Sequence, residues 1–247
     1  TSTAMFTVVD AVVLEVPFDD PARIVAVRER HRERRVSRAT PLDRYLSWRD
    51  ATDVLESAAA YSLAQPVVVG PDGAERLDAE LVTADMFRVL GVRPAFGRAF
   101  LDAETRPGAA PVAIASHRFW VSRLGSNPGA LGQRLVLGGV PTTLVGVMPA
   151  GFDGPRSRPI VDLWLPLTLD PASSDPWQRT VMVFALLRKG VTVASAEARL
   201  DGIARGLSGG NDWGAWVLPV TQDPLYAETR EQVTILASAV ALVLLIA

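Results

Sequence analysis

Residues 233–247, VTILASAVALVLLIA, carry no charge. Such a run cannot be laid on a wetted surface, so it must sit in a protein core or in lipid. A helix rises about 1.5 Å per residue, so fifteen residues reach roughly 22 Å, whereas a hydrocarbon core needs roughly 30 Å. Nine of the residues are Val, Ile or Leu. At roughly −0.3 to −0.6 kcal/mol each at mid-membrane, they favour insertion by about 4 kcal/mol. Glu228, Arg230 and Glu231 stand just before the run, as charged residues do at a membrane surface. The expectation is the start of a membrane helix at 232–247. The alternative is a buried helix at a domain's end, which would normally show a polar face; here only Thr234 and Ser238 are polar. The other end echoes it faintly. Residues 1–9 carry no charge before Asp10, and read either as the tail of an earlier membrane helix (1–10) or as a buried strand. Two such stubs would leave an extramembrane domain strung between two helices.

With 247 residues the chain can bury a sizeable core as one large or two small domains. A hydrophobic content of 49% with 21% charged residues is that of a globular chain. The net charge of −2 gives no nucleic-acid footprint. No cysteine is present, which removes disulfides, thiolate metal sites and a cysteine nucleophile. Lys189 is the only lysine and Gly190 follows it, so the segment has no Lys-Ser/Thr phosphate loop. The start lacks the basic stretch of a secretory signal.

The element pattern is mixed. Strands are predicted at 12–16 and 23–28. The basic run RERHRERRVSR, 28–38, then reads as a loop or strand end. It is either a solvated surface with Glu29 and Glu33 interspersed, or a contact for phosphate, lipid headgroups or a partner. Thr40, Pro41 and Asp43 predict a helix start, with Leu42, Tyr45, Leu46 and Arg49 on one face. Two alternating segments surround the GPDG turn at 70–73. Thr83 is expected to cap a short helix closed by Gly91. Residues 111–116 predict a buried strand, Ser116 the cap of a helix over 117–124, and Gly125 its end. Residues 133–137 and 141–147 predict a hairpin about Gly138-Gly139. Residues 162–167 and 179–188 read as extended. Thr192 is expected to cap a helix with Val193, Ala196, Leu200, Ile203 and Leu207 on one stripe, and 215–220 to close as a strand. Strand–helix units at both ends thus enclose a hairpin-rich middle.

Chemistry is scarce. GLSGG at 206–210 has the form of a nucleophile elbow, but that turn must follow a strand and open a helix, and Ser208 follows a helix. Both histidines, His31 and His117, precede Ser208, the reverse of the order such a hydrolase uses. They lie too far apart in sequence for a local metal motif. Asp19-Asp20 sits beside Pro21, where aspartate is favoured by turn geometry, and lacks a calcium-loop pattern. Trp164, Trp213 and Trp216 could line a carbohydrate platform, but aromatic residues along strands more often belong to a core. No catalytic, cofactor-binding or metal-binding residue is assigned.

Several phrases occur together in order: LDRYLSWRDATDVLESAAAY, LVTADMFRVLGVRPAFGRAFLDAE, PVAIASHRFWVSRLGSNPGALGQRLVLGGVPTTLVGVMPAGF and DLWLPL. Over roughly residues 10–225 the chain resembles the periplasmic core domain of MacB-like ABC transporter permeases, with the acidobacterial-type permeases that carry two copies of the unit as the most similar branch. The resemblance implies an α+β fold. A discontinuous porter-like strand–helix–strand subdomain (11–58 and 179–227) would hold an inserted, β-rich, sabre-like subdomain (59–178), flanked by transmembrane helix stubs. It implies a non-catalytic domain on the periplasmic side of the bacterial cytoplasmic membrane, without cofactor, coupling ATP hydrolysis to export or mechanotransmission. The partners it implies are an ABC ATPase subunit or domain, a second permease copy or an internal pseudo-dimer, and a periplasmic adaptor or substrate protein. Nucleic acid is not among them. The competing expectation is a membrane-anchored binding or sensor domain with no transport role.

Overall fold

The structure, a computed structural model, describes residues 18–34, 36–70, 73–152, 154, 161–170, 179–208 and 212–223. The expected membrane stubs at 1–10 and 232–247, the strand at 12–16 and the tip of the 70–73 turn lie outside the described residues. No helix among the described residues is long and apolar enough to cross a membrane.

The chain runs β1 (Ile24–His31), β2 (Ser37–Arg38), β3 (Thr40–Pro41), α1 (Leu42–Arg49), β4 (Leu55–Ala64), β5 (Val67–Gly70), β6 (Gly73–Arg76), β7 (Ala79–Val82) and α2 (Met86–Val89). It continues through β8 (Phe96–Gly97), β9 (Val112–Ala115), α3 (His117–Leu124), β10 (Arg134–Leu137), β11 (Val140–Val147), β12 (Leu163–Pro166), β13 (Thr180–Leu187), α4 (Val193–Ser208) and β14 (Trp213–Pro219). The strands form one mixed sheet in the order β14-β1-β13-β4-β7-β12-β9-β11-β10-β5-β6, with β2 added to β1, β3 to β13 and β8 to β11. The pairs β9/β11 and β7/β12 are parallel. The first four strands come from the two ends of the described chain and the next seven from its middle. β4 joins the halves: Leu55 to Tyr61 pair with β13, and Tyr61 to Ala64 pair with β7. The expected boundary at 58/59 therefore falls inside one strand.

Alternation along a strand decides which residue faces which layer. On β1, Val25 and Val27 join a cluster with Leu42, Tyr45 and Trp48 of α1 and Ala196, Leu200 and Ala204 of α4. Ile24 and Ala26 face the opposite way, into a cluster with Met86 and Phe87 of α2 and with Ile114 and Trp164 from the middle of the chain. β1 is buried on both faces, which is why it reads as an unbroken apolar run before its charges begin. A third cluster under α3 gathers Phe119, Trp120, Leu137 and Leu144. Burying each large side chain is worth about 1.5–3 kcal/mol. Trp164 and Tyr45 are among the polar side chains carried inside with partners. Trp164 Nε1 donates to Glu80 at 3.0 Å, both fully buried. The Tyr45 hydroxyl donates to the Ala58 carbonyl at 3.4 Å, and burial pushes its phenol up to about 12.

The local expectations divide by mechanism. Ser116 caps α3 as read, its hydroxyl accepting from the Phe119 N–H at 3.1 Å, and Gly125 closes that helix at φ +60°. Thr192 caps α4, with its hydroxyl accepting from the Ser195 N–H at 3.1 Å. Thr40 and Thr83 do not cap. Thr40 lies in β3, buried, with its hydroxyl directed to the Val27 carbonyl at 3.4 Å, and α1 starts after Pro41 without a side-chain cap. The Thr83 hydroxyl accepts the Ala60 N–H at 3.0 Å, and α2 follows Asp85. In both cases a neighbouring strand competes for the hydroxyl and wins. On α1 the buried face is Leu42, Arg44, Tyr45 and Trp48, while Arg49 is exposed.

Ser116→Ala should lower unfolding stability by about 1 kcal/mol, the usual worth of an N-cap. Urea denaturation followed by tryptophan fluorescence would show a lower midpoint with an unchanged slope.

Candidate functional site

The basic run is a strand end followed by an exposed turn at 32–34. Arg28 to His31 lie within β1, and the chain then turns so that β2 pairs back on it, Glu29 opposite Arg38 and Arg30 opposite Ser37. Alternation places Glu29 and His31 towards α1 and α4, and Arg28 and Arg30 towards the other layer.

Glu29 is fully buried. One oxygen meets Arg38 Nη2 at 2.6 Å and the other meets Arg44 Nε of α1 at 3.0 Å. Arg44 also donates to the Ala204 carbonyl of α4, and Trp48, one turn further along α1, donates to the Leu200 carbonyl at 3.0 Å. Donors four residues apart on α1 thus meet acceptors four residues apart on α4, with the two helices antiparallel.

α4 in turn closes the open side of β14, the last strand of the sheet. The outward N–H of Val217 donates to Glu197 at 2.9 Å, and that of Ala215 donates to Asp201 at 3.2 Å. Arg32 forks onto both oxygens of Asp201 at 2.7 and 2.9 Å, and Arg205 reaches it from the next turn at 2.6 Å. Burial works against the ionised carboxylate of Asp201, but hydrogen bonds from Arg32 and Arg205 outweigh it and hold Asp201 below the ordinary range. This packing requires Gly214. A Cβ there would lie 2.2 Å from Asp201 Oδ1 and 3.0 Å from the Arg32 guanidinium carbon.

Arg38, Arg30, His31 and Arg28 lie on rings or carboxylates. Arg38 stands 4.0 Å over the Trp213 ring and Arg30 5.1 Å over Trp216. His31 meets Trp213 edge-on at 5.3 Å. Its Nδ1 accepts from the backbone N–H groups of Glu33 and Arg34, and its Nε2 lies 3.9 Å from Asp212. Arg28 Nη2 lies 2.6 and 2.8 Å from the two oxygens of Asp223, whose side chain is 1% exposed. The cluster is a clasp that joins β1, β2, α1, α4 and β14 and the turn after β14.

The residues weighed in the sequence are dispersed. Ser208 ends α4, with Gly209 and Gly210 outside the described residues. His31 belongs to the clasp, whereas His117 starts α3 against Trp120 at 5.6 Å. Asp20 accepts from Arg23 at 2.7 Å. Trp164 is buried on Glu80, and Trp213 and Trp216 are covered by arginines, so the three make no shared platform. Among the described residues no group of three or more His, Asp or Glu is placed to hold a metal ion. An open groove of about 320 Å³ beside 104–112 is mostly apolar, and Glu104, on its rim, is engaged by Arg98 at 2.6 Å. Hydrogen bonding from Arg98 holds Glu104 below its ordinary range.

Period-two alternation of sign in RERHRER was the one local signal for the clasp, marking a strand with two different faces. Its partners Asp201 and Asp223 lie 169 and 195 residues away, beyond any local pattern.

The family model of the MacB-like periplasmic core domain matches residues 1–203. The chain belongs to this family. No curated protein sequence matches it. Among solved structures, the MacB-like periplasmic core domain described here is similar to the periplasmic region of MacB from Actinobacillus actinomycetemcomitans. The TM-score is 0.61 and the identity 13%, covering 85% of this chain and 94% of that one. It is also similar to the extracellular domain of the noncanonic ABC-type transporter YknZ from Gram-positive bacteria (TM-score 0.59, 12% identity, 79% and 99% covered). A permease-protein domain from Porphyromonas gingivalis gives a TM-score of 0.60 at 17% identity, with 82% and 92% covered. At these identities the likeness is one of fold, and the α+β architecture is shared.

Two outcomes follow from the clasp. Gly214→Ala should cost about 1–3 kcal/mol, as overpacking does, and chemical denaturation of the purified domain would measure it. Because Asp201 is held below its ordinary value of 3.8, its contribution is complete above that pH and is lost as pH falls through the folded value. The stability gap between wild type and Asp201→Asn should therefore be full at neutral pH and close below about pH 4, as urea titrations across pH would show.

Proposed function

We propose that this MacB-like periplasmic core domain is the non-catalytic, extracytoplasmic part of an ABC transporter permease, coupling cytoplasmic ATP hydrolysis to export or mechanical work outside the membrane. One observation carries the reading. β1 and β14 are antiparallel neighbours with Val25 opposite Pro219, so the chain enters and leaves the described fold at the same end of the same strand pair. A domain held by two adjacent segments at one end can be moved as a lever by whatever moves those segments.

The reading extends to the parts named in the sequence. Residues 11–58 and 179–227 would be the porter-like base, supported by the contiguity of β14, β1, β13 and β4. Residues 59–178 would be the sabre-like insertion. The segments 1–10 and 232–247 would belong to the membrane helices. An ABC ATPase supplies the energy, a second copy of the domain, in a dimer or on the same chain, completes the assembly, and a periplasmic adaptor or substrate protein receives the motion.

The test uses the full-length permease with its ATPase and one cysteine replacing Arg76 on exposed β6. This segment contains no native cysteine to compete. A membrane-impermeant maleimide should label it on intact cells. With spin labels at that site in lipid nanodiscs, ATP should shift the distance between copies of the domain and ADP should not. Labelling only after the membrane is broken would overturn the placement. Outside labelling with nucleotide-independent distances would favour a binding or sensor domain.

A further inference from the structure

We propose that the Arg28–Asp223 pair is the joint through which load on the segment after residue 223 enters the interior of the sheet. The inference rests on the coupling role proposed above and names the side chains that carry it. Among the described residues β14 is an edge strand, paired on one side only, to β1. A pull applied at its C-terminal end would peel it from β1 one hydrogen bond at a time, starting at Pro219 opposite Val25. The structure blocks that route. After Pro219 the chain makes a 3-10 turn, Val220–Gln222. Val220 is fully buried in the cluster that holds Ile24, Ala26 and Phe184. The turn carries Asp223 back to Arg28, three residues inward from the end of the β1–β14 ladder. Load arriving from residue 224 onward meets this ion pair before it meets the ladder. β1 is bonded to β14 on one side and to β13 and β2 on the other, so the pull is shared as shear across three neighbours. Asp223 is 1% exposed and Arg28 13% exposed, so the pair is poorly screened by solvent.

The experiment uses the full-length permease with its ATPase in nanodiscs and the spin label at residue 76. Asp223→Asn keeps the shape and removes the charge. It should leave ATPase turnover unchanged and reduce the ATP-driven shift in domain populations about tenfold, within the range of ordinary coupling between sites. Circular dichroism and the thermal midpoint of the variant show that the domain remains folded. The double variant Arg28→Cys/Asp223→Cys, with the spin label at residue 76 now carried on a ketone-bearing unnatural amino acid through a thiol-inert linkage, should show the same loss, and a short cleavable bis-methanethiosulfonate linker between the two thiols should restore the shift until it is reduced. A full shift in folded Asp223→Asn, or no recovery in the linked variant, overturns the joint while leaving the coupling role standing. No ATP-driven shift in the wild-type protein overturns both.

Discussion

A carboxylate is buried on β1, one strand in from the edge of the sheet, and much of the surrounding fold is arranged around it. Glu29 has no exposed surface and is met by Arg38 and Arg44. An ionised carboxylate loses several kcal/mol of hydration on burial, and removing one partner of such a pair costs about 3–5 kcal/mol. β2 must therefore fold back to deliver Arg38, and α1 must pack over β4 and β13 so that Arg44 reaches Glu29 on β1. Arg44 spends a second nitrogen on the Ala204 carbonyl, which fixes where α4 lies. α4 then presents Glu197 and Asp201 to the edge of β14. Exposed pairs such as Arg88–Asp85 contribute about 0–1 kcal/mol and dictate nothing comparable. An apolar trio in place of Glu29, Arg38 and Arg44 could be as stable, but it would not set the register. Ile24, Val25, Ala26 and Val27 could slip by two residues and stay buried on the same faces. Glu29 and Arg28 could not slip without leaving Arg44 and Asp223.

The same strands explain how two sequence-distant pieces act as one body. Ile24, Phe184 and Leu218 from the chain's ends share a cluster with Val112, Ile114 and Trp164 from its middle. Tyr61, stacked on Phe184 at 5.4 Å, lies where β4 passes from β13 to β7. A sheet whose two halves share both a strand and a core transmits displacement, because close-packed interiors deform little.

What was legible in the sequence follows from the range of the interaction. The hairpin at Gly138-Gly139, the Ser116 and Thr192 caps and the apolar runs of β1 and β13 are decided within a few residues, and the structure shows them as read. Thr40 and Thr83 have the same local chemistry as Ser116, yet their hydroxyls serve Val27 and Ala60. A cap forms only where no strand comes within reach first. Arg44 lies off the face predicted from Leu42, Tyr45, Leu46 and Arg49, yet it is 5% exposed, because its partner Glu29 is buried as well. A charge in an amphipathic helix looks solvated until its counter-ion is known. The clasp needed pairings across more than 160 residues, and only the alternating signs of 28–34 hinted at them.

The two ends of the sheet are protected by different means. β6 is a four-residue strand, exposed throughout, with Glu75 paired to Arg123 of α3. Shortness and charge are enough to keep such an edge from pairing with another chain. β14 is longer, and its outward N–H groups would make a template for a further strand. Covering it with another strand would satisfy those groups but would add a second ladder beside the point where the chain leaves. Carboxylates from α4 satisfy them without adding a strand. Among the described residues β14 therefore remains bonded to β1 alone, and Asp223 just after it is tied to Arg28 on that same strand.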